Sequence, residues 1–352
     1  MSGDAERIGL HWDQVQHDVQ TGRTPARTRW WESPTVRRHL NRLLHPDAGD
    51  GIDEGLTQRA RLRLTERGLP PDRPLARGIS VGGGQGIKEM LLLKANLVAH
   101  FELYELSAAR IAEGEARARA EGLFDRLRFI KGDALQEARG PYDLVHWNNS
   151  LHHMLDVDQA VAWSHQVLAP GGMFYMDDFV GPTRFQWSTA SLKLASALRG
   201  RLPERLLQDP RRPGQQLSKV VRRPNPDTLA RHDPSEAAQS GRILSAVRTW
   251  FPDAEILPTG GIVYNLVLSD VLANFDEADP VDRARLEQLL DLDWALTQVP
   301  GLETHYAVAL AFKGGPPAAW RTWSLRGRRA VEEGEGKLRK QAQRVRSRVK
   351  RR

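Results

Sequence analysis

The chain has 352 residues, 40% of them hydrophobic, a mean hydropathy of −0.51 and no cysteine. This composition fits a water-soluble protein of one large domain with embellishments, and it excludes disulfides, thiolate zinc sites and cysteine nucleophiles. The net charge of +7 is local: residues 321–352 carry +10, which leaves about −3 for the rest.

From the N-terminus, the first twenty residues carry Asp4, Glu6, Arg7, Asp13 and Asp18 where a secretory leader would be apolar. His11-Trp12, Arg29-Trp30-Trp31 and the run from Val36 to Leu44 predict short helices with aromatic anchors. Residues 56–68 predict an amphipathic helix that Pro70, Pro71 and Pro74 end. Residues 1–75 therefore form a helical segment ahead of the first strand.

Gly78-Ile79-Ser80-Val81-Gly82-Gly83-Gly84-Gln85-Gly86 then reads as a buried strand running into a glycine-rich turn and a helix. Such a unit brings backbone close to a ligand and aims the free N–H groups of the helix at it. A dinucleotide fingerprint would need glycine or alanine at position 87, where Ile87 stands. A second strand follows at Phe101–Ser107, with Glu105 in the place of a ribose-binding carboxylate; Glu102, inside the strand, is its rival. Arg128–Ala134 reads as a third strand ending in Gly-Asp-Ala. Tyr142–Met154 reads as a fourth strand with its following loop, and Val167–Phe174 as a helix end, a Pro-Gly-Gly turn and a fifth strand. Strands alternating with helices predict right-handed crossovers and a mostly parallel sheet, with ligands at the carboxyl ends of its strands.

In their order and spacing these five motifs, over roughly 78–182, resemble the class I methyltransferases that use S-adenosylmethionine (SAM). The resemblance implies an α/β, Rossmann-like, seven-stranded sheet over 76–313, with SAM as cofactor. It also implies roles: Gly82, Gly84 and Gly86 wrap the cofactor, Glu105 binds its ribose, Asp133 with Ala134 meets the adenine, and Asn148 lies at the end of strand four. N-terminal helices would wall the pocket.

To complete that topology, a helix is expected from Asp233-Pro234-Ser235-Glu236 to Phe251, a sixth strand over Ala254 to Leu257, and a seventh over His305 to Lys313. Insertions at 181–232 and 261–300, the latter resembling two helices, are expected to cap the active-site face. Gly314-Gly315-Pro316-Pro317 opens a basic tail, 314–352. Its 318–352 portion suits either solvent or an anionic membrane surface or acidic partner.

Methyl transfer from a sulfonium has a neutral leaving group, so positioning supplies much of the catalysis, and a hydroxyl acceptor adds the need for a base. The base candidates are His152, His153 and Asp178, with His152 slightly ahead. Arg184, Gln186 and Trp187 enter the cap and could orient a polar substrate. No metal-ligand spacing stands out; an Asp177–Asp178 pair is the weak exception. The place after strand four reads Asn148-Asn149-Ser150-Leu151, without the prolines of nucleic-acid amino methyltransferases, which argues against nucleic acid as acceptor. The expectation is a cytoplasmic enzyme, peripheral to the membrane if the tail binds lipid, that methylates an oxygen of a polar small molecule in secondary-metabolite or saccharide biosynthesis. The alternatives are a SAM-binding module without transferase activity, or an RNA or protein methyltransferase using the tail. The acceptor and the oligomeric state are not encoded in these motifs.

Overall fold

A computed structural model describes residues 3–21 and 29–314. The basic tail, with its expected lipid or acidic partner, lies outside the described residues from 315 onward.

Seven strands form one sheet: β1 (Leu75–Val81), β2 (Val98–Glu105), β3 (Leu127–Lys131), β4 (Tyr142–Asn148), β5 (Leu168–Phe179), β6 (Glu255–Gly260) and β7 (Tyr306–Phe312). Their order is β3-β2-β1-β4-β5-β7-β6. The first five run parallel, and β7 lies antiparallel between β5 and β6. The chain winds outward from β1 to β3 and returns to place β4 beside β1, so the topological switch, where open α/β sheets bind ligands, lies at the carboxyl ends of these two strands.

Residue parity fills both faces. Val145 and Trp147 of β4, with Phe174 and Met176 of β5, pack under the helices Val157–Val167 and Ile243–Trp250. Their neighbours Leu144, Met173 and Tyr175 pack on the other face, against Glu54–Glu66 and Ile87–Lys94. A strand's side chains alternate in direction, so a sheet covered on both sides reads as the near-continuous apolar runs seen in this sequence.

The cap rises from the two expected insertions. The first carries helices Thr189–Gly200 and Pro226–His232; the second carries a π-helical turn, Ile262–Val267, and the helix Pro280–Thr297. The first of the two helices expected over 261–300 is thus a π turn. The buried Asp293 carboxylate holds it by accepting from the N–H groups of Gly261 and Val263 at 2.7 and 2.8 Å. Leu286 and Leu290, one helical turn apart, are fully buried against Val263, Tyr264 and Val36. Each contributes about 1.5–3 kcal/mol to docking the cap.

The helix expected from Asp233 begins instead at Ile243. Asp233 caps a turn, accepting from the backbone N–H of Ser235 at 2.8 Å, and Ala237 follows in the left-handed region at φ +48°. No helix propagates through such a residue.

Glu303 ties the cap to β7. Its carboxylate accepts from the Ser188 N–H at 3.0 Å and the Ser191 hydroxyl at 2.8 Å, at the start of the helix Thr189–Gly200. Although burial works the other way, these bonds and His305 lower its pKa from 4.5 to about 2. The docking they support is complete above pH 4.5 and lost as the pH falls toward 2. An acid titration of Trp187 fluorescence should therefore show a transition in that window, shallower in Glu303→Gln; identical titrations would refute the link.

Among the described residues no helix is long and apolar enough to cross a membrane.

Candidate active site

The glycine turn has the geometry its sequence requires. Gly82, Gly84 and Gly86 lie at φ +66°, +60° and +73°, where a side chain is strained. Gly82 also has little room for one, because a Cβ there would meet Ser150 Cβ at 3.1 Å. The glycine turn and the loop after β4 are thus in contact.

Glu105 ends β2 beside this turn. It is 4% exposed and accepts from the N–H of Gly84 at 2.9 Å, of Leu106 at 2.7 Å and of Ser107 at 2.9 Å. A carboxylate has about four acceptor positions, so one remains for a ligand. The rival Glu102 faces away, paired with Arg77 at 2.7 Å and with the Tyr142 hydroxyl at 2.7 Å. Asp133 caps the short helix Ala134–Glu137 through the N–H of Leu135, and Ala134 is buried behind it. Asn148 donates to Asp53 at 2.9 Å, and Lys88 also pairs with Asp53. Asp53 comes from the N-terminal segment and was not recognised in the sequence.

The helix Gly3–Gln20 spans this edge of the sheet. Asp13 accepts from the Ser107 hydroxyl at 2.6 Å and the Ala109 N–H at 3.1 Å. Trp12 lies edge-on to His153, with ring centroids 5.2 Å apart, under the Arg110 guanidinium at 4.0 Å. This helix joins the Glu105 side of the cleft to the histidine side.

Parity separates the two strand-five carboxylates, so they do not form a pair. Asp177 faces Asp53 and Lys88, and burial followed by the Asp53 charge pushes its carboxyl above the usual carboxylate range. Asp178, fully buried on the other face, accepts from the N–H of Ser150 at 3.0 Å, Leu151 at 2.7 Å and His152 at 3.3 Å. Its remaining position takes Nδ1 of His152 at 2.5 Å. So engaged, Asp178 has no free side toward an acceptor; it orients His152.

His152 sits in the 3-10 turn Leu151–His153, with its Nε2 3.7 Å from Oε1 of Glu236. Burial alone would lower its pKa, but Asp178 and Glu236 outweigh burial and raise it. His153 stays neutral: burial and the neighbouring His152, Arg110 and His11 hold it well below the ordinary histidine value. Glu236 was missed in the sequence, where it read as part of a helix start. Burial raises its pKa. Among the described residues, His152, His153 and Glu236 form a cluster able to hold a metal ion, each offering one ligand atom within 4.8 Å of the others. The sequence offered no such group, because its carboxylate comes from the cap.

Arg184 donates to the carbonyls of Asp233, Pro234 and Glu236 at 3.3, 2.6 and 2.8 Å, and so holds the loop that presents Glu236. Gln186 donates to the carbonyls of Arg184 and Pro224. Trp187 is 5% exposed, with its ring 4.5 Å from that of His305. All three residues expected to orient substrate are engaged within the cap. A separate cleft of about 580 Å³, between Gly140, Trp163, Val167 and Lys313, opens at the opposite ends of β4 and β5, away from these groups.

A seven-stranded sheet in this order, with a glycine turn after β1 and a carboxylate at the tip of β2, is the architecture that the resemblance to class I methyltransferases implied. Residues 79–174 match the family model described as a methyltransferase domain. The chain is 28% identical over 113 residues to the ubiquinone/menaquinone biosynthesis C-methyltransferase UbiE of Legionella pneumophila, covering 31% of this chain and 45% of that protein. It is 31% identical over 133 residues to the 27-O-demethylrifamycin SV methyltransferase of Amycolatopsis mediterranei, covering 36% and 48%. The match thus spans less than half of either relative. Among solved structures, the geranyl diphosphate C-methyltransferase of Streptomyces coelicolor A3(2) aligns over 89% of this chain and 99% of its own, at 14% identity and a TM-score of 0.47.

Proposed function

We propose that the protein transfers the methyl group of SAM to an oxygen of a polar small molecule bound against His152, His153 and Glu236. The observation that carries this reading is the fixed imidazole of His152. Its Nδ1 is tied to Asp178 and its Nε2 is turned toward Glu236, in the loop that touches the cofactor turn at Gly82. An imidazole so oriented serves to activate a hydroxyl, which is a poor nucleophile while protonated. The names of the relatives support a small-molecule acceptor and include methylation at both carbon and oxygen. Glu105 is the proposed ribose ligand, and the glycine turn, Asp133, Ala134 and Asn148 complete the proposed cofactor contacts.

The test is incubation with trideuteromethyl-SAM and a small-molecule extract, followed by mass spectrometry. The expected result is products heavier by one trideuteromethyl group in place of hydrogen, with the label assigned to an ether or ester oxygen. Label found only on carbon or nitrogen would overturn the oxygen assignment. Label only in protein or RNA would overturn the small-molecule reading.

A further inference from the structure

We propose that His152, His153 and Glu236 bind a divalent transition-metal ion, of the zinc, cobalt or iron class, that activates the acceptor oxygen. This deepens the reading above and rests on its placement of the acceptor at this cluster.

The hydrogen bonds set the tautomers. Nδ1 of His152 faces a carboxylate that can only accept, so it carries the proton and leaves Nε2 as the ligand atom. The Ser235 hydroxyl donates its proton to Asp233 at 2.6 Å, so toward His153 it acts as acceptor. Nδ1 of His153, 3.0 Å from that oxygen, is therefore the donor, and its Nε2 is also left with a lone pair. Metal-bound imidazoles characteristically donate their second N–H to such an outer oxygen, which fixes the ring and raises its basicity. Here both rings have that support before any ion is considered.

Glu236 supplies the third ligand, on a loop clamped by Arg184 and turned by Ala237. Two imidazoles and one carboxylate are the donor set of sites that keep an open coordination position. Their nitrogen content selects against magnesium and calcium, which take oxygen ligands. One ligand atom from each residue lies within 4.8 Å of the others, and Nε2 of His152 is 3.7 Å from Oε1 of Glu236. Tetrahedral ligands at metal–nitrogen distances of about 2.0–2.1 Å stand about 3.4 Å apart, so small side-chain shifts complete the site.

At the open position the acceptor hydroxyl binds through oxygen and gives its proton to solvent. The oxygen then attacks the methyl carbon, the carbon–sulfur bond breaks with its electron pair going to sulfur, and neutral S-adenosylhomocysteine leaves beside the methyl ether. The metal is neither oxidised nor reduced. In this scheme Nε2 of His152 is a ligand and the ion takes over from the imidazole the activation of the hydroxyl, while Asp178 and Ser235 are positioning residues.

The full-length protein, stripped with EDTA, should bind one equivalent of Co2+ with the visible absorption of a low-coordinate nitrogen–oxygen site, and Zn2+ should displace it. His153→Ala and Glu236→Gln should each weaken Co2+ binding at least about 10-fold, the lower end of the loss measured for outer-shell partners. The exposed His100→Ala should leave it unchanged. Glu236 lies outside the sheet, so Glu236→Gln keeps the test valid should His153→Ala fail to fold, and calorimetry with SAM checks each variant. No stoichiometric Co2+ binding, or binding unchanged in both cluster variants, overturns the inference. Stripped enzyme that methylates acceptors at full rate also overturns it, while leaving the proposed function standing. Stoichiometric Co2+ at the cluster without any methylated acceptor upholds the site and removes the function.

Discussion

Replacing His152 by alanine is expected to lower turnover by about 10²–10⁴-fold while SAM still binds, a loss of about 2.7–5.5 kcal/mol in transition-state stabilisation. The imidazole lies in the loop after β4, outside the glycine turn, so cofactor affinity should stay within a few-fold by calorimetry. Its removal leaves Asp178 with its three backbone donors, so the loop keeps its shape. Asp178→Asn is the complementary change. The amide must turn one N–H₂ toward donors, so that variant should lose activity together with thermal stability. Turnover unchanged in His152→Ala would place the activating group elsewhere, or mean that the acceptor is already a good nucleophile.

Glu105→Ala is expected to weaken SAM binding by about 1.5–3 kcal/mol, roughly 10–150-fold in Kd, with no measurable binding of NAD in either protein. The carboxylate acts twice. It offers its remaining acceptor position to the ribose, and it holds the glycine turn to β2 through Gly84, Leu106 and Ser107. The alanine variant should therefore also melt at a lower temperature, because each buried N–H left without a partner costs about 1–3 kcal/mol. Glu105→Gln retains an oxygen for Leu106 and Ser107, so it separates the two roles. An unchanged SAM affinity in both variants would remove Glu105 from the ribose site.

The strand, glycine turn and helix framework beside Glu105 was legible in the sequence because its signals are local. Glycines at alternate positions and a carboxylate at a strand tip each depend on a few neighbouring residues. The cap was harder to read for the same reason. Asp233-Pro234-Ser235-Glu236 carries the chemistry of a helix start, and that same chemistry builds an isolated turn. Tertiary contact decides between them: Arg184 takes the carbonyls of Asp233, Pro234 and Glu236, so they are not left for a helical ladder. Glu236 thereby comes to face His152 across an insertion that no sequence period connects. The roles of Asp177 and Asp178 could have been separated beforehand, since adjacent strand residues point to opposite faces. That rule makes an Asp177–Asp178 ligand pair untenable and gives the histidine to only one of them.

The helix Gly3–Gln20 has a mechanical consequence. Trp12 touches the histidine side of the cleft and Asp13 the Glu105 side, so two adjacent residues of one rod straddle both compartments. Its anchors there are polar, made by Asp13 and by Gln16, which donates to Glu113 at 2.8 Å, and aromatic, made by Trp12 against His153 and Arg110. Hydrogen bonds to a carboxylate are worth about 1.5–3 kcal/mol each, so the rod is held firmly on both sides. Displacing it breaks contacts on both sides at once, so a change at one compartment is felt at the other through a single helix.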